Sequence, residues 1–364
     1  MTKILALTIR PVEGPDSRYR ILEYIPFLKE AGIEVVHHSL IDSAFYQRRQ
    51  RGKPALFDPF RFAGAVLARA AELARRPAYD AVWVGRELMP YGPPLLERLL
   101  FRSGVPVVLD IDDALFEPDP AGGFFHRKLR DFRKYAYIAP RSRTVVVGNR
   151  RLAAYFSGRA PRVELIPTCV DHRKYAGIAR RPDPSGRVRI GWIGTPANRS
   201  HLERIRGAVE RLASRHRLEF RAVGINQPLG WAMKRAYGIP WELGKELEYF
   251  ADFDIGVMPL ADTAFTRGKC AFKMVQYMAA GLPVVASPVG ANRETLVAGG
   301  QGFFAETPDE WETALETLIR DPGLRRGMGA SGRERVRERY SLVSQWPRYA
   351  DILRIRETVP KETL

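Results

Sequence analysis

The sequence predicts an α/β protein of two Rossmann-like, doubly wound domains facing each other across a cleft. Three observations predict it. Apolar runs of strand length alternate with helical segments along most of the chain. The alternation stops once, at the Pro- and Gly-bearing stretch 180-RRPDPSGR-187, and then restarts. The length of 364 residues exceeds one ordinary α/β domain and suits two of ~150 to 180 residues.

In the first half, Lys3–Thr8 reads as a strand, Tyr19–Ala31 as an amphipathic helix stopped by Gly32, and Ile33–His37 as a second strand. Ala-rich Phe60–Arg75 is helical and is followed by the strand Ala81–Val84 and the helix Pro93–Arg102. Val105–Ile111 is a nearly continuous apolar run, interrupted by Asp110, as a strand covered on both faces should be. Phe125–Ala139 is a basic helix, and Thr144–Val147 and Val163–Ile166 are strands. In the second half, strands are expected at Val188–Ile193, Glu219–Val223, Ile255–Met258 and Pro283–Ala286. Helices are expected at His201–Ser214, Trp241–Phe250, Cys270–Ala280, Glu310–Arg320 and Pro322–Tyr340, with a last amphipathic segment at Tyr349–Arg356. The expected domains are residues 1–180 and 187–339, with 340–364 crossing back to the first. Ligands of such a protein bind beyond the carboxyl ends of the strands, between the domains.

Composition narrows the function. The two cysteines, Cys169 and Cys270, are neither a disulfide framework nor a metal-ligand spacing. The start, MTKILALTIR, lacks the length and cleavage site of a secretion signal, and no apolar run is long enough to span a bilayer, so a cytoplasmic protein is expected. The net charge of +17 divides as +11 in residues 1–180 and +6 beyond, which favours anionic partners or reflects a solvated, Arg-rich surface.

The segment Gly268–Phe304, GKCAFKMVQYMAAGLPVVASPVGANRETLVAGGQGFF, carries the chemistry. A helix start after Gly268 offers free N–H groups and the positive end of the helix dipole, with Lys269 and Lys273 beside it: an arrangement for a diphosphate. Gly281 ends the helix, a short buried strand follows, and 287-SPVG-290 turns at its carboxyl end. Here the chain resembles family 4 of the retaining glycosyltransferases with the GT-B fold, whose pattern is E-P-F-G-L-x-x-x-E-A-M-A-x-G-x-P-V-V-A-S-x-x-G-G-x-x-E. Gln276–Ser287 overlays it closely, and Gly290 and Glu294 match its later Gly and Glu. Phe253–Leu260 and Ile190–Gly194 resemble two further strands of that domain.

The resemblance implies transfer of a hexose from a nucleotide-diphosphate donor to a hydroxyl acceptor, with retention and without a metal or other cofactor. It suits cell-surface polysaccharide or glycolipid synthesis, with a glycan or lipid-linked acceptor. It assigns donor contacts to Gln276, Gly290 and Glu294; the helix start adds Lys269, the amides of Cys270, Ala271 and Phe272, and Lys273, which is also a catalytic candidate, the two lysines being charges additional to the family pattern. Gly194 and Arg199 correspond to the turn after the domain's first strand. The family's two glutamates fall on Gly268 and Gln276. Gln276 retains the hydrogen-bonding capacity to meet a ribose, whereas Gly268 has no side chain to meet the sugar.

In the first half, the loop 10-RPVEGPDSRYR-20 holds the place of the Gly-rich loop of GT-B enzymes. Gly14 and Arg18 are donor candidates there, while Ser17 is an equally good helix cap. The run 106-PVVLDIDD-113 crowds three carboxylates at a strand end, with Asp112 where the family often has a histidine. Asp112 is the candidate for orienting an acceptor hydroxyl or the donor sugar; helix capping and pairing with arginines are the bland alternatives. Asp-x-Asp also occurs in metal-dependent GT-A enzymes and in phosphatases, readings that the second-half motif disfavours.

The basic stretches 46-YQRRQRGK-53, Arg75-Arg76 and 126-HRKLRDFRKYAYIAPRSR-143 suggest either a solvated face or peripheral docking at the inner membrane surface. No nucleic-acid recognition motif accompanies them, so a nucleic-acid-binding protein is the weaker alternative and nucleic acid is not an expected partner. A non-catalytic GT-B protein that binds nucleotide sugars is the other alternative.

Overall fold

A computed structural model describes residues 1–50, 58–75, 79–120 and 128–354. Two six-stranded sheets, parallel throughout, form its two halves. The first contains β1 (Thr2–Thr8), β2 (Ile33–Ser39), β3 (Ala81–Gly85), β4 (Val107–Ile111), β5 (Thr144–Val147) and β6 (Val163–Leu165), in the order β2-β1-β3-β4-β5-β6. The second contains β7 (Val188–Ile193), β8 (Leu218–Val223), β9 (Ala236–Ile239), β10 (Ile255–Met258), β11 (Val284–Ala286) and β12 (Gly302–Phe304), in the order β12-β11-β10-β7-β8-β9. Strand order therefore reverses between β1 and β3 in one sheet and between β7 and β10 in the other. At such points adjacent connections leave toward opposite faces and open a crevice.

The central strands β3, β4, β5, β10 and β11 are buried along their whole length, because helices cover both faces. Trp83, Trp192 and Trp311 are among the largest fully buried side chains and fill the space between sheet and helices.

The amphipathic run after β1 is not one helix. It divides into Pro15–Arg20, a 3₁₀ turn Leu22–Tyr24, and Ile25–Glu30. Ile21, at φ −128°, breaks the first piece, and Pro26 supplies no N–H to continue a longer one. The helices Ser43–Gln50, Arg150–Phe156, His172–Ala176 and Asn292–Thr295 and the edge strands β9 and β12 are additions to the elements expected from sequence. Of the basic segment expected as a helix at 125–139, Lys134–Ile138 is helical and residues 125–127 lie outside the described residues, as do 51–53 and Arg76.

The chain passes between the halves twice. Val170 leaves the first and Ser341 returns beside it, with Val170 N–H donating to the Tyr340 carbonyl and Leu342 N–H to the Val170 carbonyl, both at 3.0 Å. The last helix, Leu342–Leu353, buries Tyr349, Ile352 and Leu353 against Ile4, Tyr24 and Trp83 of the first half. Among the described residues, no helix is long and apolar enough to cross a membrane.

Candidate active site

The carboxyl edge of the second sheet supplies the cations. From β10 the chain runs through a 3₁₀ turn, Thr266–Gly268, into the helix Phe272–Ala279. Ala271 adopts the left-handed conformation, φ 52°, which starts the helix two residues later than expected. Among the described residues, the amides of Ala271, Phe272 and Lys273 have no protein acceptor, as the first turn of a helix requires. Lys269 Nζ lies 4.8 Å from the Phe265 ring centre, and Lys273 Nζ lies 5.6 Å from that of Trp192. His201, from the 3₁₀ segment Pro196–Leu202 after β7, completes the cluster, its Nδ1 accepting from the Ala261 amide at 3.4 Å.

These groups crowd one another electrostatically. Burial, followed by repulsion from Lys269, lowers the Lys273 ammonium to about 7, against an opposing pull from Asp113. Burial, then Lys273, then Lys269, lower His201 to about 4. A half-buried lysine so close to losing its proton is a cation without an adequate counter-ion, and a phosphate would provide one.

Glycines leave the space. A Cβ on Gly194 would lie 2.5 Å from the Trp192 ring and 2.9 Å from Lys273 Cε. One on Gly224, at φ +91°, would strike the Gly194 carbonyl at 1.8 Å, so the turns after β7 and β8 approach through bare backbone. Gly194→Ala should therefore displace Lys273 and weaken anion binding, and the overpacking should cost ~1–3 kcal/mol of stability. Titration calorimetry with a nucleoside diphosphate measures the binding.

Residues 187–321 match the family described as glycosyl transferases group 1. The match lies wholly within the second half. Over 73 residues the chain is 33% identical to trehalose synthase of Pyrococcus horikoshii, a match that spans 20% of this chain and 18% of that protein. The fold is GT-B over the whole chain. Sucrose-phosphate synthase from Thermosynechococcus elongatus superposes with a TM-score of 0.68 at 15% identity, over 97% of this chain and 98% of that one. The Anabaena protein HepE, solved with UDP and glucose, superposes with a TM-score of 0.70 at 16% identity, over 97% and 99%.

Facing the second half, the first presents carboxylates arranged by one arginine. Arg86, directly after β3, holds the left-handed conformation at φ 68°. Its Nε and Nη2 donate to the two oxygens of Asp112 at 2.6 and 2.8 Å, and Nη2 also reaches Asp113 at 2.8 Å. Asp16 stands 3.6 Å from Arg86 Nε and is itself paired with Arg10 at 3.0 Å. Burial alone would raise the Asp112 carboxyl, but the Arg86 guanidinium outweighs it and holds it below the usual range. Both Asp112 oxygens accept from Arg86, which is the arginine pairing that the sequence offers as the alternative to orienting an acceptor hydroxyl. Asp113, which gives one oxygen to Arg86 and faces Lys273, is the carboxylate better placed to meet a ligand.

A tight seam joins the two sides. Asn149 Nδ2 donates to the Gly268 carbonyl at 2.8 Å, and the Cys270 thiol donates to the Asp112 carbonyl at 2.8 Å. Burial pushes that thiol up, so Cys270 is an inert packing group. A Cβ on Gly268 would lie 2.3 Å from that of Ala114, and one on Gly148 would lie 2.1 Å from Cys270 Sγ. The missing family glutamate at Gly268 thus has a steric reason: in this closed arrangement the first domain occupies its place.

Several candidates serve elsewhere. Arg18 is buried and pairs with Glu246 of the second half, against the rings of Tyr19 and Trp241. Gln276 donates to the hydroxyls of Tyr19 and Tyr175, each at 3.3 Å, and Phe272 packs on Tyr19 with ring centres 4.3 Å apart. Arg199 turns outward to the Pro228 and Leu229 carbonyls at 3.0 and 3.2 Å. Gly14 caps the helix Pro15–Arg20, Gly290 at φ 51° lies against the Arg267 backbone, and Glu294 is 3.9 Å from Arg150. Sequence reasoning missed Arg86, His201 and Trp192. Three carboxylates at one strand end did signal that a cation must lie among them; the other two carry no local pattern. Among the described residues, no group of His, Cys, Asp or Glu is arranged to hold a metal ion.

Proposed function

We propose that this chain transfers a sugar from a nucleoside-diphosphate donor to a hydroxyl of a glycan or lipid-linked acceptor, with retention, in cell-surface polysaccharide or glycolipid synthesis on the cytoplasmic side. The observation that carries the proposal is the Lys269–Lys273–His201 cluster beside the free amides of the helix Phe272–Ala279. As the bond between the anomeric carbon and the diphosphate breaks, charge builds on the leaving oxygen. Lys273, Lys269 and the amides would meet that charge in an environment low in water, where such contacts count most. Asp113, held by Arg86, would orient the acceptor hydroxyl from the opposite wall. Gln276 would reach a ribose by exchanging its bond to Tyr19, and the UDP complexes of HepE make UDP the first nucleotide to test.

Calorimetry with UDP and GDP should show submillimolar binding that disappears in Lys269→Ala/Lys273→Ala, and a panel of their sugars should reveal which is turned over. Unchanged binding in the double variant would refute the assignment. A non-catalytic, nucleotide-sugar-binding role is the second reading, favoured by the absence of any carboxylate at Gly268. Release of sugar from any donor excludes it.

A further inference from the structure

We propose that Glu87, Arg130 and Lys134 are positioning residues: a buried ionic brace that sets Arg86 and Asp113 relative to each other from behind the wall of the cleft. Arg130 and Lys134 belong to the basic stretch at 126–143, yet both turn inward. Arg130 is 8% exposed, Lys134 1% and Glu87 2%. Arg130 Nη2 donates to Glu87 Oε1 at 2.7 Å, and Lys134 Nζ lies 3.4 Å from Glu87 Oε2. Glu97, equally buried on the helix Leu95–Phe101, completes a set of two cations and two carboxylates. Buried ion pairs seldom hold a fold better than apolar side chains of the same size would. What they supply is a definite geometry, and this one is applied to a single stretch of backbone.

That stretch is 86–90, directly after β3. Its first turn is strained. The Glu87 amide donates to the Gly85 carbonyl at 2.9 Å, which puts Arg86, at φ 68°, at the centre of a γ-turn of the rarer, positive-φ kind. Such a conformation persists only where the surroundings over-determine it. Here they do. The Arg86 carbonyl accepts from the Tyr135 hydroxyl at 3.1 Å, and the Leu88 amide donates to Glu97 Oε1 at 3.0 Å. The Met89 carbonyl accepts from Lys134, and the Pro90 carbonyl from Arg130 Nη1 at 3.4 Å. With Glu87 held through its carboxylate, every residue from Arg86 to Pro90 is bonded to a buried side chain.

Arg130 also reaches the other side of the site. Its Nε donates to the Leu115 carbonyl at 3.1 Å, and the Leu115 amide closes a turn on the Asp113 carbonyl at 2.8 Å. One guanidinium therefore spans the turn that carries Arg86 and the turn that carries Asp113. That is a task for a planar fork of donors, which a lysine ammonium lacks. In front of the brace, Arg86 Nη2 meets Asp113 at 2.8 Å. The carboxylate is thus located by a guanidinium whose own backbone is fixed from behind, as a group that must orient a reacting atom needs to be. The consequence for the acceptor hydroxyl, whose angle Asp113 would set, rests on the sugar-transfer reading; the brace itself does not.

The experiment is Arg130→Lys in the full chain, which keeps the charge beside Glu87 and removes the fork. The Nε–H of Arg86, recognised by its absence in Arg86→Lys, is followed by nuclear magnetic resonance. UDP affinity and turnover of the sugar found with the donor panel are measured in parallel. Exchange of that proton with water should accelerate at least ~10-fold. The kcat should fall at least ~10-fold, with donor KM and UDP affinity unchanged. A brace that served stability alone would leave the exchange rate and kcat of the folded variant as they were, and that result overturns the proposal. So does a loss of UDP affinity that matches the loss in kcat, which would mark a general loosening. Should Arg130→Lys not fold, Tyr135→Phe removes a single hydroxyl from the Arg86 carbonyl and should move exchange and kcat in the same direction by roughly threefold. No movement in that variant overturns the proposal as well. Faster exchange with unaltered turnover would uphold the brace and refute the acceptor role of Asp113. Faster exchange in a chain that turns over no sugar would uphold it and refute the sugar-transfer reading.

Discussion

Binding of a nucleoside diphosphate should take up a proton above pH 7 and weaken steadily as the pH rises. In the free protein Lys273 is held at about 7, burial being the main cause and Lys269 the next. A bound diphosphate stabilises the ammonium form and returns its pKa toward the ordinary lysine value. Between those two values the complex holds a proton that the free protein lacks, so affinity falls ~10-fold per pH unit across that window. From pH 7 to 9 the loss is roughly fiftyfold by the same relation. Calorimetry at pH 8 in buffers of different ionisation enthalpy reads the proton directly. Lys273→Arg should keep most of the affinity and flatten the profile, because a guanidinium does not titrate there. An unaltered slope in that variant would show that another group carries the proton. The free protein responds with the opposite sign. The unfolded chain holds the Lys273 proton up to its ordinary pKa, so this group's contribution to stability improves as the pH rises from about 7.

Asp110→Ala should cost ~3–5 kcal/mol of stability, the typical penalty for stranding a buried charge. Arg20 and Asp110 are 2% and 1% exposed, and Arg20 Nε donates to Asp110 Oδ1 at 2.7 Å. Arg20 also reaches the Ile166 carbonyl at 2.7 Å, and Tyr349 donates its hydroxyl to Asp110 Oδ2 at 2.6 Å. The ion pair therefore ties three distant parts of the first half together: the helix after β1, the end of β4 and the last helix. Removing the carboxylate leaves the guanidinium buried beside the Tyr349 ring without its counter-ion. Thermal denaturation should show a fall of roughly 10 °C in Tm, given the size of the domain. Replacing both partners, Arg20→Met with Asp110→Leu, should cost less than Asp110→Ala alone. If the double replacement is the worse of the two, the pair supplies net stabilisation rather than mutual neutralisation.

The fold was legible because parallel α/β sheets write themselves plainly. Buried strands such as β4 are apolar but for Asp110, and helices between strands end at Gly or Pro. β9 was not legible: Ala236–Ile239 is a half-exposed edge strand containing Gly238, with neither an apolar run nor alternation. The break at Ile21 was hidden because its apolar spacing continues through it. In the site, Lys269 and Lys273 stand at a helix start that motif and charge both mark. Arg86 and His201 reach the site from turns after other strands, so only the tertiary arrangement reveals them. Gln276 is read as facing a ligand because it stands where the family has a glutamate, and Arg18 because its loop holds the place of the family's Gly-rich loop. The structure shows both buried by contacts that cross between domains, which a single stretch of sequence does not encode.

The paired crossings at Val170 and Ser341 have a mechanical consequence. A single linker would let the halves swivel as well as separate. Two strands of chain side by side, bonded through Val170, Tyr340 and Leu342, act like the two leaves of a strap hinge and favour rotation about one axis. When the seam at Gly268 and Cys270 parts to admit a donor, Lys273 and Asp113 should swing apart along an arc and return to the same register. Reproducible closure is then a property of the connectivity, independent of what is bound.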